Sequence, residues 1–246
     1  MLSQTILRVS SRLISLTLPP TFWYRAALAV SGLGARLLRL TGIGSRRPYR
    51  FEQAILLNRM LAYLTRRGEP FPIPWRVIEE FQAPQGSGVI ACSAHLPLIK
   101  IAGRALMDSG YAVRASIAAR PDPDGCIALW GLRERLPALK VGPSVLLQTR
   151  TELRRGSTVI LLVDSSSGDY SPNIFRLARV TGAALLFLTA ELAEDGVVEV
   201  RFFRPPAPEC SSPEEITSNL LALDAAVRQI SGRVEAPRFD TTPAIG

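Results

Sequence analysis

From residue 88 onward, five strand-like runs alternate with helical stretches, and this alternation constrains the fold more than any other feature. Several of the strand-like runs are apolar without interruption, as expected where helices cover both faces of a sheet. The sequence therefore predicts an α/β domain with a mostly parallel central sheet flanked by helices. The predicted strands are 88–94, 111–119, 157–164, 184–192 and 197–204, and the predicted helices between and after them are 97–109, 143–155, 172–181 and 213–231.

The chain ahead of the sheet divides at about residue 50. Residues 51–67 predict a helix ended by Gly68, and the segment EPFPIPW that follows is a proline-rich connector. We therefore expect an N-terminal amphipathic helical segment over 1–50, one α/β domain over 51–240 and a short tail over 241–246. Three widely spaced cysteines in 246 residues indicate neither a disulfide framework nor a structural metal site, and fit a reducing location.

The basic charge is concentrated at the N-terminus. The first 50 residues contain eight arginines and no acidic residue, so they account for the whole net charge of +8. The arginines are interleaved with leucine-rich stretches, which favours an anionic membrane surface over nucleic acid as the partner. In residues 6–16 a helix would carry two distinct faces, one apolar (Ile6, Val9, Leu13, Leu16) and one polar (Arg8, Ser11, Arg12, Ser15).

This two-faced pattern is typical of a helix that lies in the membrane interface. Two alternatives remain open: the apolar face packs on the domain itself, or the segment is a targeting peptide. The longest apolar run, residues 26–35, is too short to span a bilayer, so we predict peripheral binding and no transmembrane helix.

Polar side chains follow three of the predicted strands. Ser93 and His95 come at the end of the first, Arg120 follows the second, and Asp164 ends the third, ahead of SSSGDYS. Carboxyl ends of parallel strands meet at one edge of a sheet, so we expect these groups to converge there. His95 is the only histidine in the chain.

Four motifs in order add a family resemblance. They are VIACSAHLPLIK (89–100), AARP (118–121), LRRGSTVILLVD (153–164) and LARVTGAALLFLTAEL (177–192). Together they resemble the lysophospholipid acyltransferase-like superfamily, closest to the bacterial lipid A lauroyl/myristoyl and phosphatidylinositol mannoside acyltransferases. The resemblance implies an acyltransferase-like fold on the cytoplasmic face of the inner or plasma membrane. It also implies transfer of a fatty acyl group from an acyl-carrier-protein or coenzyme A thioester to a glycolipid, phospholipid or related acceptor, without a cofactor or metal.

By this resemblance His95 is the general base, and the family places Asp or Glu after four further residues. That position is Lys100, and an ammonium group cannot accept the imidazole N–H. Three interpretations stay open: His95 acts with another orienting group such as Asp164, Asp169, a backbone carbonyl or Ser93; the protein binds lipid or a partner without turnover; or His95 is an ordinary partly buried histidine.

The expected site therefore has a catalytic pair and a substrate-binding set. His95 and Asp164 form the pair, and Arg120, Ser93 and Lys100 form the set, with Arg120 binding phosphate. Cys92 lies three residues before His95, but a small thiol within VIACSA is typical of a core position, so we do not expect it to be a nucleophile.

Overall fold

The architecture, described from a computed structural model, is an eight-stranded sheet with helices on both faces. The structure describes residues 2–42, 47–83, 88–118, 122, 124–164 and 170–232. Within these ranges there are seven helices and eight strands. The helices are α1 (Leu2–Thr17), α2 (Pro20–Leu40), α3 (Tyr49–Thr65), α4 (Ile99–Asp108), α5 (Val145–Arg154), α6 (Asn173–Thr181) and α7 (Pro213–Ser231). The strands are β1 (Trp75–Glu80), β2 (Val89–Ser93), β3 (Val113–Ala118), β4 (Cys126–Ala128), β5 (Arg135–Lys140), β6 (Thr158–Leu162), β7 (Ala184–Leu192) and β8 (Val198–Phe203).

The sheet is mixed, with the order β1-β8-β7-β2-β6-β3-β5-β4. Among the described strands, five of the seven neighbouring pairs are parallel, and only β7–β8 and β4–β5 are antiparallel. The central five strands, from β7 to β5, therefore all run in one direction. The α/β class is confirmed, while β1, β8 and β4 run against the parallel centre.

Each predicted strand and helix has a counterpart within a few residues, but three strands were not predicted. β1 begins at Trp75, the last residue of the proline-rich connector, so the start of this strand is not marked by a separate sequence pattern. β4 has only three residues, and β5 contains Pro137, which lacks the N–H that a strand donates. All three lie at or next to the edges of the sheet, where such short or interrupted strands are tolerated.

Two apolar cores lie on the two faces of the sheet. The first is built against α2, α3 and α4, and the second against α5, α6 and α7. β2 shows how one strand serves both: Val89 and Ala91 belong to the first core, whereas Ile90 and Cys92 belong to the second. All five β2 residues are buried, which accounts for the uninterrupted apolar run in the sequence.

The two N-terminal helices share the first core. Leu7 and Ile14 of α1 are buried, and α1 packs mainly on α3. The hydroxyl of Tyr24 on α2 donates to the carbonyl of Gly196, 2.7 Å away, in the turn after β7. None of the described helices is long and apolar enough to cross a membrane.

The boundary between β2 and β6 is a topological switch point. From β2 the chain passes through α4 to β3, stepping over β6, whereas from β6 it passes through α6 to β7, stepping the opposite way over β2. α4 lies on the first face and α6 on the second. Connections that leave in opposite directions open a crevice at the carboxyl ends of the two strands, which is where open α/β sheets bind their ligands.

Candidate active site

His95 and Asp164 face each other at this switch point. β2 and β6 pair in parallel from Val89↔Thr158 to Ser93↔Leu162. The ladder continues one step further, because the N–H of Val163 donates to the carbonyl of Ser93 at 2.8 Å. The same register brings the next polar residue of each strand, His95 and Asp164, opposite one another.

The Asp164 carboxylate holds both the backbone and the ring of His95. Its Oδ1 accepts a hydrogen bond from Nδ1 of the imidazole at 2.8 Å. The backbone N–H of His95 donates to the same carboxylate, with N···O distances of 2.9 and 3.1 Å. The Asp164 side chain is 4% exposed and the His95 side chain 60% exposed. Among the described residues nothing in the protein bonds Nε2, so that nitrogen remains open to a ligand.

The local sequence fixes this orientation through alternating burial. Ala94, Leu96 and Leu98 are buried, and His95 between them is exposed. α4 then begins at Ile99, which limits the freedom of the connecting segment. The buried neighbours anchor the backbone at His95, so its N–H and its ring meet the carboxylate together.

The pair changes the basicity of the histidine. The hydrogen bond from Nδ1 to Asp164 raises the pKa of His95 above its ordinary value of 6.5, and partial burial of the ring opposes this increase. The hydrogen bond between protonated His95 and Asp164 makes its full contribution to the free energy of unfolding below pH 6.5. This contribution is lost as the pH rises through the elevated pKa of His95 in the folded state. As a base, neutral His95 becomes available above that same pKa.

Lys100 has a different environment from the one its sequence position suggested. Its Nζ lies 4.1 Å from the ring centroid of Trp130, and the indole N–H of Trp130 donates to Asn58 at 2.7 Å. Burial lowers the pKa of Lys100; the charge of Asp122 opposes this decrease, and the charges of Arg66 and Arg135 add to it. Lys100 therefore makes a cation–π contact within the fold, and in this chain Asp164 orients the imidazole instead.

Of the other residues predicted for the site, one is buried in the sheet and two lie outside the described residues. Ser93 is fully buried, and its hydroxyl donates to the carbonyl of Leu188 at 2.7 Å. A substrate-binding role for Ser93 does not fit this position, because its hydroxyl is shielded by the sheet and already bonded. Arg120 and Asp169 lie outside the described residues.

The Cys92 thiol is inside the second core. It is fully buried, and burial raises its pKa, so the reactive thiolate is disfavoured. No group of three potential metal-ligating side chains occurs in the described part of the chain. Of the site residues predicted from the sequence, His95 and Asp164 are the two that the described structure brings together.

A histidine held in this way can remove a proton from a hydroxyl group. Since Nδ1–H donates to the carboxylate, the neutral ring presents its lone pair at Nε2, and the carboxylate stabilises the imidazolium that forms. Both residues were predicted from the sequence, because each follows an apolar run and the ends of parallel strands lie at one edge. The contact between Lys100 and Trp130 carried no such signal.

Comparison with known proteins adds no assignment for this pair. No protein-family model matches the sequence, and no curated protein matches it. What the pair can do is therefore argued from its geometry and from its place in the sheet.

Replacing Asp164 with asparagine should lower the pKa of His95 towards 6.5, because the amide cannot neutralise the imidazolium. Proton NMR titration measures this directly, since the chain has a single histidine. Lys100→Gln is the control and should leave the pKa of His95 unchanged. An unchanged pKa in Asp164→Asn, or a shift of equal size in Lys100→Gln, would contradict the assignment of Asp164 as the orienting group.

Proposed function

We propose that this protein is a membrane-peripheral acyltransferase. It moves a fatty acyl group from an acyl-carrier-protein or coenzyme A thioester to a hydroxyl of a glycolipid, phospholipid or related acceptor, at the cytoplasmic face of the inner or plasma membrane. The observation that carries the proposal is the 2.8 Å hydrogen bond from Nδ1 of His95 to Asp164, which leaves Nε2 open at the carboxyl edge of the sheet. The motif resemblance set out above supports the choice of acyl transfer.

His95 would act as general base and then as general acid. Nε2 takes the proton of the acceptor hydroxyl while its oxygen attacks the thioester carbonyl, and a tetrahedral intermediate forms. As the intermediate collapses, the carbon–sulfur bond breaks and the imidazolium returns the proton to the leaving thiolate. The products are the acyl ester of the acceptor and the free thiol of the carrier.

Asp164 would position the base and stabilise its charge. Its carboxylate holds the tautomer with the proton on Nδ1, which keeps the lone pair at Nε2. It also attracts the imidazolium, which forms only when the proton is transferred. Asp164 would therefore lower the free energy of the proton-transfer step. A protein that merely binds lipid has no need of a buried carboxylate placed in this way, and this favours turnover over the alternative of a catalytically degenerate scaffold.

The exposed faces of α1 and α2 support the membrane part of the proposal. α1 buries Leu7 and Ile14 on the domain but leaves the opposite apolar face in solvent. Large exposed apolar side chains of this kind are rare on soluble proteins unless they meet a partner or a membrane. They are Ile6, Val9, Leu13 and Leu16 of α1, Leu18 of the connection, and Phe22, Leu33, Leu37 and Leu40 of α2, together called the N-terminal surface below.

The arginines of this segment fall into two groups. Arg8 lies over the ring of Tyr63, and Arg39 pairs with Glu52 at 3.4 Å, so both serve the fold. In the part of the chain that the structure describes, the exposed guanidinium groups of Arg12, Arg25 and Arg36 have no protein partner. Among the arginines of α1 and α2, these three are the charges available to anionic headgroups.

The transfer activity can be tested with purified protein, radiolabelled acyl donors and a panel of lipid acceptors. His95→Ala should reduce transfer by about 10²–10⁴-fold, the usual contribution of a general base, and Asp164→Asn by up to about 10⁴-fold. Asp108→Asn removes an exposed carboxylate at the far end of α4 and should leave the rate unchanged. Lipid binding without transfer in the parent protein would instead support the degenerate scaffold, and activity retained in His95→Ala would remove His95 from the mechanism.

Membrane binding can be tested by changing Arg12, Arg25 and Arg36 to glutamine. Each basic residue near an anionic surface contributes roughly 1 kcal/mol, so the triple variant should bind anionic vesicles about 100-fold more weakly at low salt. Sedimentation with vesicles at low and high salt measures the loss, and circular dichroism checks the fold.

The matched control removes the same charge elsewhere. Arg67, Arg114 and Arg133 are exposed on the α/β domain, and their replacement by glutamine should weaken vesicle binding much less. Equal losses in the two triple variants would mean that net charge, and not the N-terminal surface, determines binding.

A further inference from the structure

A second exposed apolar patch follows β5. Val141 precedes α5, and Leu146 and Leu147 lie in its first turn; all three are exposed, Leu147 by 67%. Residues 140–144, from the last residue of β5 to the residue before α5, are exposed as well. Val141, Leu146 and Leu147 are called the rim patch below.

The rim patch lies at the same edge of the sheet as the catalytic pair. β2, β6, β3 and β5 are parallel neighbours, so their carboxyl ends share one edge. His95 and Asp164 follow β2 and β6, and Val141 follows the end of β5 at Lys140. β5 is two strands away from β6, which corresponds to roughly 10 Å at the usual strand spacing.

The helices that precede the sheet contact the same edge at β7. β7 is parallel to β2, so the turn after β7 is at the carboxyl edge too. Tyr24 of α2 is bonded to Gly196 in that turn, and the guanidinium of Arg50 donates to the carbonyl of Glu194 at 3.1 Å. Helices α2 and α3 therefore contact the turn at the carboxyl end of β7.

The charge around the rim patch selects the kind of partner. Lys140, which is exposed next to Val141, is the one charged residue in 140–149. The carboxylates of Asp122 and Asp124, which follow β3 at the same edge, are both paired with Arg135. An exposed apolar turn next to a lysine that has no ion pair among the described residues, with the nearby carboxylates already paired, matches an anionic bilayer, which needs no shape complementarity.

We propose that the rim patch is a second membrane contact, inserted among the headgroups of an anionic bilayer. With the N-terminal surface it holds the carboxyl edge of the sheet against the lipid, so that Nε2 of His95 faces an acceptor hydroxyl at the membrane surface. This inference rests on the proposed function, because it assumes that the acceptor is a lipid.

The test uses a fluorescent probe on the full-length chain. Cys126→Ser supplies the background, because Cys92 and Cys210 are buried, and Leu147→Cys carries an environment-sensitive label. Val180→Cys is the matched control: Val180 is 64% exposed, in the last turn of α6, at the opposite edge of the sheet. The vesicles contain phosphatidylcholine with phosphatidylglycerol, and spin-labelled lipid serves as quencher.

On binding vesicles, the label at position 147 should shift its emission to the blue and be quenched at headgroup depth, roughly 5–10 Å into the interface. The label at position 180 should do neither. If the protein sediments with vesicles while the label at 147 stays in water, the rim patch is not a membrane contact, although the N-terminal surface remains one. If no protein sediments, both membrane contacts are refuted. A spectral change caused by an acidic acyl carrier protein but not by vesicles would assign the patch to a protein partner and overturn the proposal.

Discussion

The hydrogen bonds from His95 to the Asp164 carboxylate are the interaction on which the site depends. A carboxylate that is almost fully buried is costly unless it is paired, and here a single residue, His95, donates to it from two groups, its backbone N–H and its ring Nδ1. The parallel register of β2 and β6 brings the two residues together, and the buried neighbours of His95 keep its backbone in place. The elevated pKa of His95 and the open Nε2 both follow from this contact.

Much of the architecture could be predicted because burial leaves a simple pattern. β2 and β6 lie in the middle of the sheet, so their residues are apolar without interruption and their ends are marked by His95 and Asp164. β4 and β5 could not be predicted, since a three-residue strand and a strand containing Pro137 depend on their neighbours for pairing. Sequence alone also left several orienting groups open for His95, because the choice among them depends on the register between strands 69 residues apart.

Lys100 stands where the resembled family has an acidic residue, and it takes no part in orienting His95. Five residues after His95, α4 has begun and directs this side chain onto the ring of Trp130, where burial lowers its pKa. A cation in that place neither orients nor repels the imidazole, whose pKa is shifted by Asp164. The carboxylate needed by a histidine base comes from a different strand, so the lysine is compatible with activity.

The central claim is that His95 and Asp164 act as one catalytic unit. A double-mutant cycle on the single-turnover rate of acyl transfer tests it most directly, with His95→Ala, Asp164→Asn and the double variant compared with the parent. Because Asp164 is proposed to act only through the imidazole, the double variant should be no slower than His95→Ala alone. Losses that multiply in the double variant would show that the two residues act independently, and would contradict this account.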